Sequence, residues 1–393
     1  MYFRSSLFAA CLSLFVTPAL AQTPCGGNFN SFVNDMKREA VAKGHSQANV
    51  EKFFASVRQD PRTLKADRSQ GVFKKSFAEF SRAVISQNRI NNGRANANKY
   101  KSIFDYMERQ TGVSRGVLLA FWALETDYGA VQGNFNTLNS LVTLSHDCRR
   151  PWLFRPQVFA ALTLFERGNF SPTNTKGAWA GEVGMVQMLP EDIIRHGVDG
   201  DGDGKVNLKT SPPDALLSGA SMLRGLGWRP NEPWLQEITV PSNLDWSKTG
   251  LDKTLKVSDW SRLGVRARNG NLGPSNLPAS VLLPMGRKGP AFLAYPNFNV
   301  YFEWNKSFVY VTTAAYFATR LEGAPVYNLG NPDPALSDGQ MKQLQTKLKA
   351  RGHDVGAVDG ILGKKTRAAV QAEQQRLGLP ADAWPTRDLL ARL

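Results

Sequence analysis

One run constrains this chain more than any other stretch of it: an apolar helical segment that carries a carboxylate on its inward stripe. It reads Val117-Leu118-Leu119-Ala120-Phe121-Trp122-Ala123-Leu124-Glu125-Thr126-Asp127-Tyr128-Gly129. Leu118, Phe121, Trp122 and Glu125 recur at i, i+3, i+4 and i+7, so Glu125 shares the face that the pattern turns to the interior. Ser114 suits the N-cap and Gly129 the stop, which sets Glu125 in the last turn. Desolvation and the negative end of the helix dipole both oppose its ionisation there. A carboxyl kept neutral near pH 7 can serve as a general acid. The competing reading is a buried Glu matched to an Arg or Lys.

With 393 residues, 42% of them hydrophobic and 10% aromatic, the chain can bury a large core and divides into more than one domain. Arg4, the apolar run Leu7 to Val16 and Ala19-Leu20-Ala21 make residues 1–21 an expected secretory signal peptide. Cys11 lies too early in that run to close a lipoprotein box. Cleavage leaves Cys25 and Cys148, an even number in an exporting compartment, and predicts a disulfide between them. No second apolar segment is long enough to span a membrane. A net charge of +15 suits a polyanionic or acidic partner such as a cell wall or membrane surface, and export argues against nucleic acid.

Helical periodicity runs from Phe29 to Ala55, interrupted at Gly44, and again from Gly71 to Ile90. Asn91-Asn92-Gly93 reads as a turn, and Tyr100 to Gln110 as the helix leading into the Glu125 segment. After Gly129, the polar turn Val131 to Leu138 is expected at the mouth of whatever cleft Glu125 faces. Arg149 and Arg150 precede another helix and suit either substrate carboxylates or a solvated helix end. In Gly177 to Pro190 the glycines allow close backbone approach, and Gln187 offers a donor and an acceptor among apolar residues. Glu182 is a second carboxylate, but its spacing does not set it opposite Glu125.

Asp199, Asp201 and Asp203 on alternate residues, Gly204 at the sixth position and Asn207 at the ninth open a calcium loop over residues 199–210. Thr210 stands where a Glu is expected, and Asp214 is available to close the site instead. A plain acidic turn is the other reading. Beyond Glu237 the composition shifts to Pro, Gly, Thr, Val and aromatics, with candidate strands at Pro278 to Leu283 and Asn299 to Glu303 and a helix near Thr313 to Leu321. Residues 330–336 read as a linker, and residues 337–393 as three short helices around a Gly-rich loop.

These residues carry a resemblance to the lytic murein transglycosylase B family, glycoside hydrolase family 103, over about Phe29 to Glu322. Leu124-Glu125-Thr126-Asp127-Tyr128-Gly129 resembles its catalytic E-T-x-Y-G element, Ala180-Gly181-Glu182-Val183-Gly184-Met185-Val186-Gln187 its A-G-x-x-G-x-x-Q element, and Asn305 with Ser307 its N-x-S segment. Ala178 stands where the family often has Ser, and Trp304 where Tyr is common. Residues 337–393 resemble the peptidoglycan-binding domain type 1 through Leu344-Gln345, Asp359-Gly360, Gly363, Thr366 and Ala369, with Glu373 in place of a recurrent aromatic.

The resemblance implies a mainly α (α+β) fold: a lysozyme-like helical catalytic domain with a small β-containing subdomain over residues 22–329, then a three-helix wall-binding domain. It implies a monomer acting on peptidoglycan glycan strands in the periplasm of a Gram-negative bacterium, with no cofactor in catalysis. Glu125 would act as acid and then base. Gln187 and Asn305 would orient the sugar, Tyr310 would line the cleft, and Arg149 and Arg150 would meet stem-peptide carboxylates. A structural calcium ion would sit at Asp199, Asp201, Asp203, Asn207 and Asp214.

Overall fold

A computed structural model of the chain describes residues 23–69 and 75–393. The signal-peptide expectation, and residues 71–74 of the expected helix, lie outside these residues. Capping residues fix most helix starts. Asn28 opens α1 (Phe29–Ala42), Ser46 opens α2 (Gln47–Phe54), and Gly44 at φ +98 separates the two as its position predicts. Next come α3 (Pro61–Arg68), then α4 (Phe77–Val84) behind a Ser76/Glu79 capping box, and α5 (Gln87–Lys99).

Asn91-Asn92-Gly93, expected as a turn, lies inside α5. Gly93 is required there by packing and not by a bend, since a Cβ on it would fall 2.4 Å from Leu321 and 2.5 Å from the Tyr128 hydroxyl. The series continues through α6 (Lys101–Thr111), α7 (Arg115–Thr126), the short strand β1 (Phe135–Asn136), α8 (Thr137–His146) and α9 (Pro151–Glu166). Strand β2 (Lys176–Gly177) pairs antiparallel with β1, and α10 (Pro190–His196) and α11 (Pro212–Gly225) complete the helical body. One continuous core joins these helices, and Cys25 and Cys148 form a disulfide that holds the first described residues to the end of α8.

The expected β-containing part is a five-stranded antiparallel sheet in the order β4-β6-β7-β3-β5. It comprises β3 (Leu235–Thr239), β4 (Leu255–Lys256), β5 (Arg266–Ala267), β6 (Pro278–Leu282) and β7 (Ala291–Ala294), with α12 (Val257–Arg262) packed beside it. The candidate strand at Asn299 to Glu303 is corrected to helix: it lies in α13 (Pro296–Trp304), where Pro296 at the first position starts a helix that β-favouring Val300, Tyr301 and Phe302 do not reveal. The last helix of this part, α14 (Phe308–Leu321), starts five residues before the expected Thr313, because Ser307 caps it.

Residues 336–393 build their own small core from α15 (Asp338–Ala350), α16 (Lys364–Arg376) and α17 (Arg387–Arg392). Glu373, where an aromatic recurs in the resembling family, is buried and held by His353 at 2.8 Å and Arg376 at 2.9 Å. This unit is docked, not dangling. Arg367 is half-buried against the sheet, donating to the carbonyls of Pro284 at 2.8 Å and Leu283 at 3.4 Å, with its guanidinium 4.4 Å from the Phe308 ring centre. Gln371 gives its amide to the carbonyls of Trp246 and Thr249. The expected linker is pinned as well, by Asn331 N–H to Lys288 O at 2.9 Å and by a Lys288–Asp333 ion pair at 2.6 Å.

Candidate active site

The helix α7 runs from a Ser114 cap, whose hydroxyl accepts the Gly116 amide at 3.1 Å, to Thr126, with Asp127 in the left-handed region at φ +51. Leu118, Phe121 and Trp122 are buried, so Glu125 leaves the helix on its inward stripe, in the last turn. Its partners are not the Arg or Lys of the alternative reading. Glu125 Oε1 accepts the indole N–H of Trp304 at 3.1 Å and the hydroxyl of Tyr310. Trp304 stacks on Phe121 with ring centres 4.2 Å apart, which fixes the indole that aims at the carboxyl.

Burial pushes the Glu125 carboxyl up from its ordinary range, and the two hydrogen bonds pull against it without reversing the direction. Tyr310 remains a donor because burial and the adjacent Glu125 carboxyl hold its hydroxyl well above the usual phenol range. With both donors on Oε1, a proton taken up by this carboxyl sits on Oε2.

The glycine segment packs against the end of this helix. Thr126 donates its hydroxyl to Met185 O at 2.7 Å, while the Met185 amide donates to Leu208 O at 2.8 Å. Gly184 at φ +84 makes that second approach feasible, since a Cβ would lie 2.4 Å from the Leu208 side chain. One chain of hydrogen bonds thus joins the Glu125 helix, the glycine segment and the aspartate loop. Gln187 takes φ +54 and donates to Gly184 O at 2.7 Å.

A cleft of about 440 Å³ gathers Glu125, Trp179, Gln187, Trp304 and Asn305. The Asn305 side-chain oxygen accepts the amide of Ser307, the residue that caps α14, at 2.8 Å. The same cleft brings in Glu182, Asp192 and Glu303, which sequence spacing did not place there. The clue available for Glu182 was a carboxylate inside a segment built for close backbone approach. Burial pushes its carboxyl up to about 7, its own amide opposes this, and the Glu125 charge raises it further.

Three expectations need correction. Arg149 and Arg150 are not free at a helix end: both donate to the buried Asp67 carboxylate of α3, Arg149 while exposed and Arg150 while half-buried. A buried carboxylate without such partners would be costly, which is why two cations converge on it. The turn at Val131 to Leu138 forms β1 and, through Gln132, links Gly129 O to Lys209 O, so the cleft walls come from elsewhere. Tyr310 is buried and contacts the Glu125 carboxyl instead of lining the cleft.

In the aspartate loop, Asp199, Asp201 and Asp203 set three exposed carboxylates within 4.8 Å of one another. Hard oxygen donors this close fit a divalent cation of the calcium type. Asp214 differs from its expected role: it is fully buried and accepts the amides of Gly200, Asp201 and Asn207, so it shapes the loop from beneath. The Asn207 side-chain oxygen accepts the Lys209 and Thr210 amides.

A half-buried acid at the end of a helix, a glycine segment behind it and a docked helical module fit the class of wall-acting lytic enzymes, and the comparisons agree. The family model described as Transglycosylase SLT domain matches residues 28–319, and that of a peptidoglycan binding domain matches residues 337–393. The chain belongs to the SLT-type lytic transglycosylase family.

SltB3 from Pseudomonas aeruginosa, solved in complex with NAG-anhNAM-pentapeptide, is 35% identical with a TM-score of 0.85, covering 93% of this chain and 99% of that one. Slt35 of Escherichia coli, solved in complex with calcium, is 23% identical at a TM-score of 0.65 over 78% of this chain and 98% of that one, a likeness of fold. Membrane-bound lytic murein transglycosylase B of Escherichia coli K12 is 25% identical over 235 residues, which are 59% of this chain and 63% of that relative's length. Among the described residues no helix is long and apolar enough to cross a membrane.

Proposed function

We propose that the protein is an exported lytic murein transglycosylase, acting in the periplasm as a monomer. It cleaves the β-1,4 bond between N-acetylmuramic acid and N-acetylglucosamine and leaves 1,6-anhydromuramoyl ends. The observation that carries this reading is the Glu125 carboxyl, whose hold on its proton burial strengthens, held by Trp304 and Tyr310 at an open cleft. Glu125 Oε2 gives its proton to the glycosidic oxygen as the C1–O bond breaks, and the 2-acetamido carbonyl of muramic acid supports C1 from within the substrate. Glu125, now ionised, takes the proton of the C6 hydroxyl as that oxygen closes on C1, so no water is consumed and the acid is regenerated. Gln187 and Asn305 orient the acetamido and hydroxyl groups. No cofactor takes part in catalysis. SltB3 in complex with NAG-anhNAM-pentapeptide is a relative holding the kind of product this chemistry gives.

Incubation of the mature chain with purified sacculi should release muropeptides lighter by one water than reducing-end ones, read by mass spectrometry. Reducing-end muramic acid would overturn the reading in favour of a hydrolytic muramidase. That alternative has one observation behind it, the further carboxylates Glu182 and Asp192 in the cleft. Wall binding without release would point to a non-catalytic scaffold.

Calcium at Asp199, Asp201 and Asp203 would brace the loop whose Leu208 carbonyl meets Met185, and so support the site without entering the chemistry. Calcium at roughly a hundredfold excess over Kd should stabilise the fold by about 2–3 kcal/mol in thermal melts. Asp201→Asn should lose most of that gain, and identical melts with calcium and with a chelator would exclude the site.

A further inference from the structure

The C-terminal module leaves a cavity where it meets the sheet. Lys364, Arg367, Ala368, Gln371, Ala372 and Gln375 fall at i, i+3, i+4, i+7, i+8 and i+11 of α16, so they share one stripe. All six line a space of about 250 Å³ whose facing wall is the end of β6, the first residue of α14 and residues 249–253. The two alanines on the stripe leave the room, and the polar side chains around them set its chemistry. Seams between domains are frequent places for small ligands.

Arg367 lacks a counter-ion. Its terminal nitrogens donate to the carbonyls of Leu283 and Pro284, while its Nε is enclosed and makes no hydrogen bond to any described group. Asp382, the acid that acts on its charge, is already held by Arg287 at 3.5 Å and by the Gln374 amide at 2.9 Å. Burial opposes the guanidinium charge and Asp382 favours it, yet a guanidinium stays protonated. A charge left uncompensated in such a seam is costly, and an incoming anion lowers that cost.

Lys364 adds a second cation at the mouth. It pairs across the seam with Asp252 at 2.7 Å, but both side chains are exposed, and a pair of that kind exchanges readily for another carboxylate. Gln371 supplies the opposite polarity. Its amide nitrogen gives to the carbonyls of Trp246, Thr249 and Ala381, so what it has left for a ligand is an oxygen that accepts. Leu282 and Phe308 make the apolar wall. The space is also smaller than the cleft of about 440 Å³ at Glu125, so its occupant is smaller than the sugar pair that the cleft must admit.

We propose that this seam binds the carboxylate end of a short peptide with alanine-sized side chains, the chemistry of a stem peptide on the wall. Arg367 and Lys364 hold the carboxylate, Gln371 Oε1 accepts the adjacent peptide N–H, and the methyl groups lie against Leu282 and Phe308. The identity of the occupant rests on the transglycosylase reading; the cavity and its charges do not.

Isothermal titration of the full chain with acetyl-D-alanyl-D-alanine, with its C-terminal carboxamide and with sodium acetate tests the proposal. The acid should bind about tenfold more tightly than the carboxamide, which brings no charge to the two cations, and acetate at the same concentration should not displace it. Arg367→Gln should bring the acid down to the carboxamide level. Ala368→Phe covers the case in which that variant undocks the module: the position is exposed, every polar group is kept, and the ring fills the mouth. It should weaken the acid by at least about tenfold.

Equal affinity for acid and carboxamide, or binding of neither, overturns the proposal. So does full displacement by acetate, which would leave an anion site with no preference for a peptide, and so does unchanged affinity in Ala368→Phe, which would place the peptide elsewhere. Binding is read without turnover. A chain that binds the acid but releases no anhydro product from sacculi loses only the transglycosylase reading, and one that releases it without preferring the acid loses only this site.

Discussion

Glu125→Gln should retain the fold and lose about 10²- to 10⁴-fold in peptidoglycan cleavage. The amide has nearly the volume of the acid, and its oxygen can still accept from Trp304 and Tyr310, so the stacking of Trp304 on Phe121 is undisturbed. What disappears is a proton that can be given to the leaving oxygen and a carboxylate that can take one back. Stability moves the other way. A folded-state carboxyl raised above its unfolded value binds its proton more tightly in the fold, so its contribution is present below the unfolded value of 4.5 and is lost as pH rises through the folded one. The Gln variant does not suffer that loss, and above the ordinary Glu range its melting point should match or exceed that of the wild type. Muropeptide release and paired thermal melts at acid and mildly alkaline pH test both halves. Activity within tenfold of the wild type would remove Glu125 from the centre of the reaction.

The second large effect is expected at Gly184→Ala, which should destabilise by about 2–4 kcal/mol and reduce activity even well below the melting point. The residue sits at φ +84, and a Cβ would lie 2.4 Å from the Leu208 Cβ and 2.6 Å from its carbonyl oxygen. Relief requires the aspartate loop and the glycine segment to part, which breaks Met185 N–H to Leu208 O and disturbs the Thr126 contact that ends the Glu125 helix. Gly227→Ala is the control: it has φ +100 but nothing within 4 Å, so only backbone strain of about 1 kcal/mol applies. Equal losses at the two positions, measured by denaturant unfolding, would show that the Leu208 contact is unimportant.

Features set by neighbours in the chain were legible in the sequence. The inward stripe of α7, its Ser114 cap, the break at Gly44 and the alternate aspartates all depend on periods of a few residues, and each stands where its pattern predicts. Features set by partners far along the chain were not. Trp304 and Tyr310 reach Glu125 across 179 and 185 residues, and no local period announces such a meeting. The same holds for Asp67, which claims Arg149 and Arg150 from 82 and 83 residues away. Gly93 misled because glycine signals both a turn and a tight helix crossing, and only the position of Leu321 decides between them. Asn299 to Glu303 misled because β-branched and aromatic residues suit a buried helix as well as a strand.

The docking of the C-terminal module has a mechanical consequence. A flexible tether would let the module hold the wall while the cleft searched around it, at a local concentration set by tether length. Here the connecting segment is pinned at Lys288, and Arg367 presses on Phe308, the first residue of α14 and two positions before Tyr310. Force on the module is therefore shared among Arg367, Gln371 and the pinned segment, and the part carried by Arg367 reaches the helix whose Tyr310 holds the Glu125 carboxyl, so load and site are joined by packing, not by a tether.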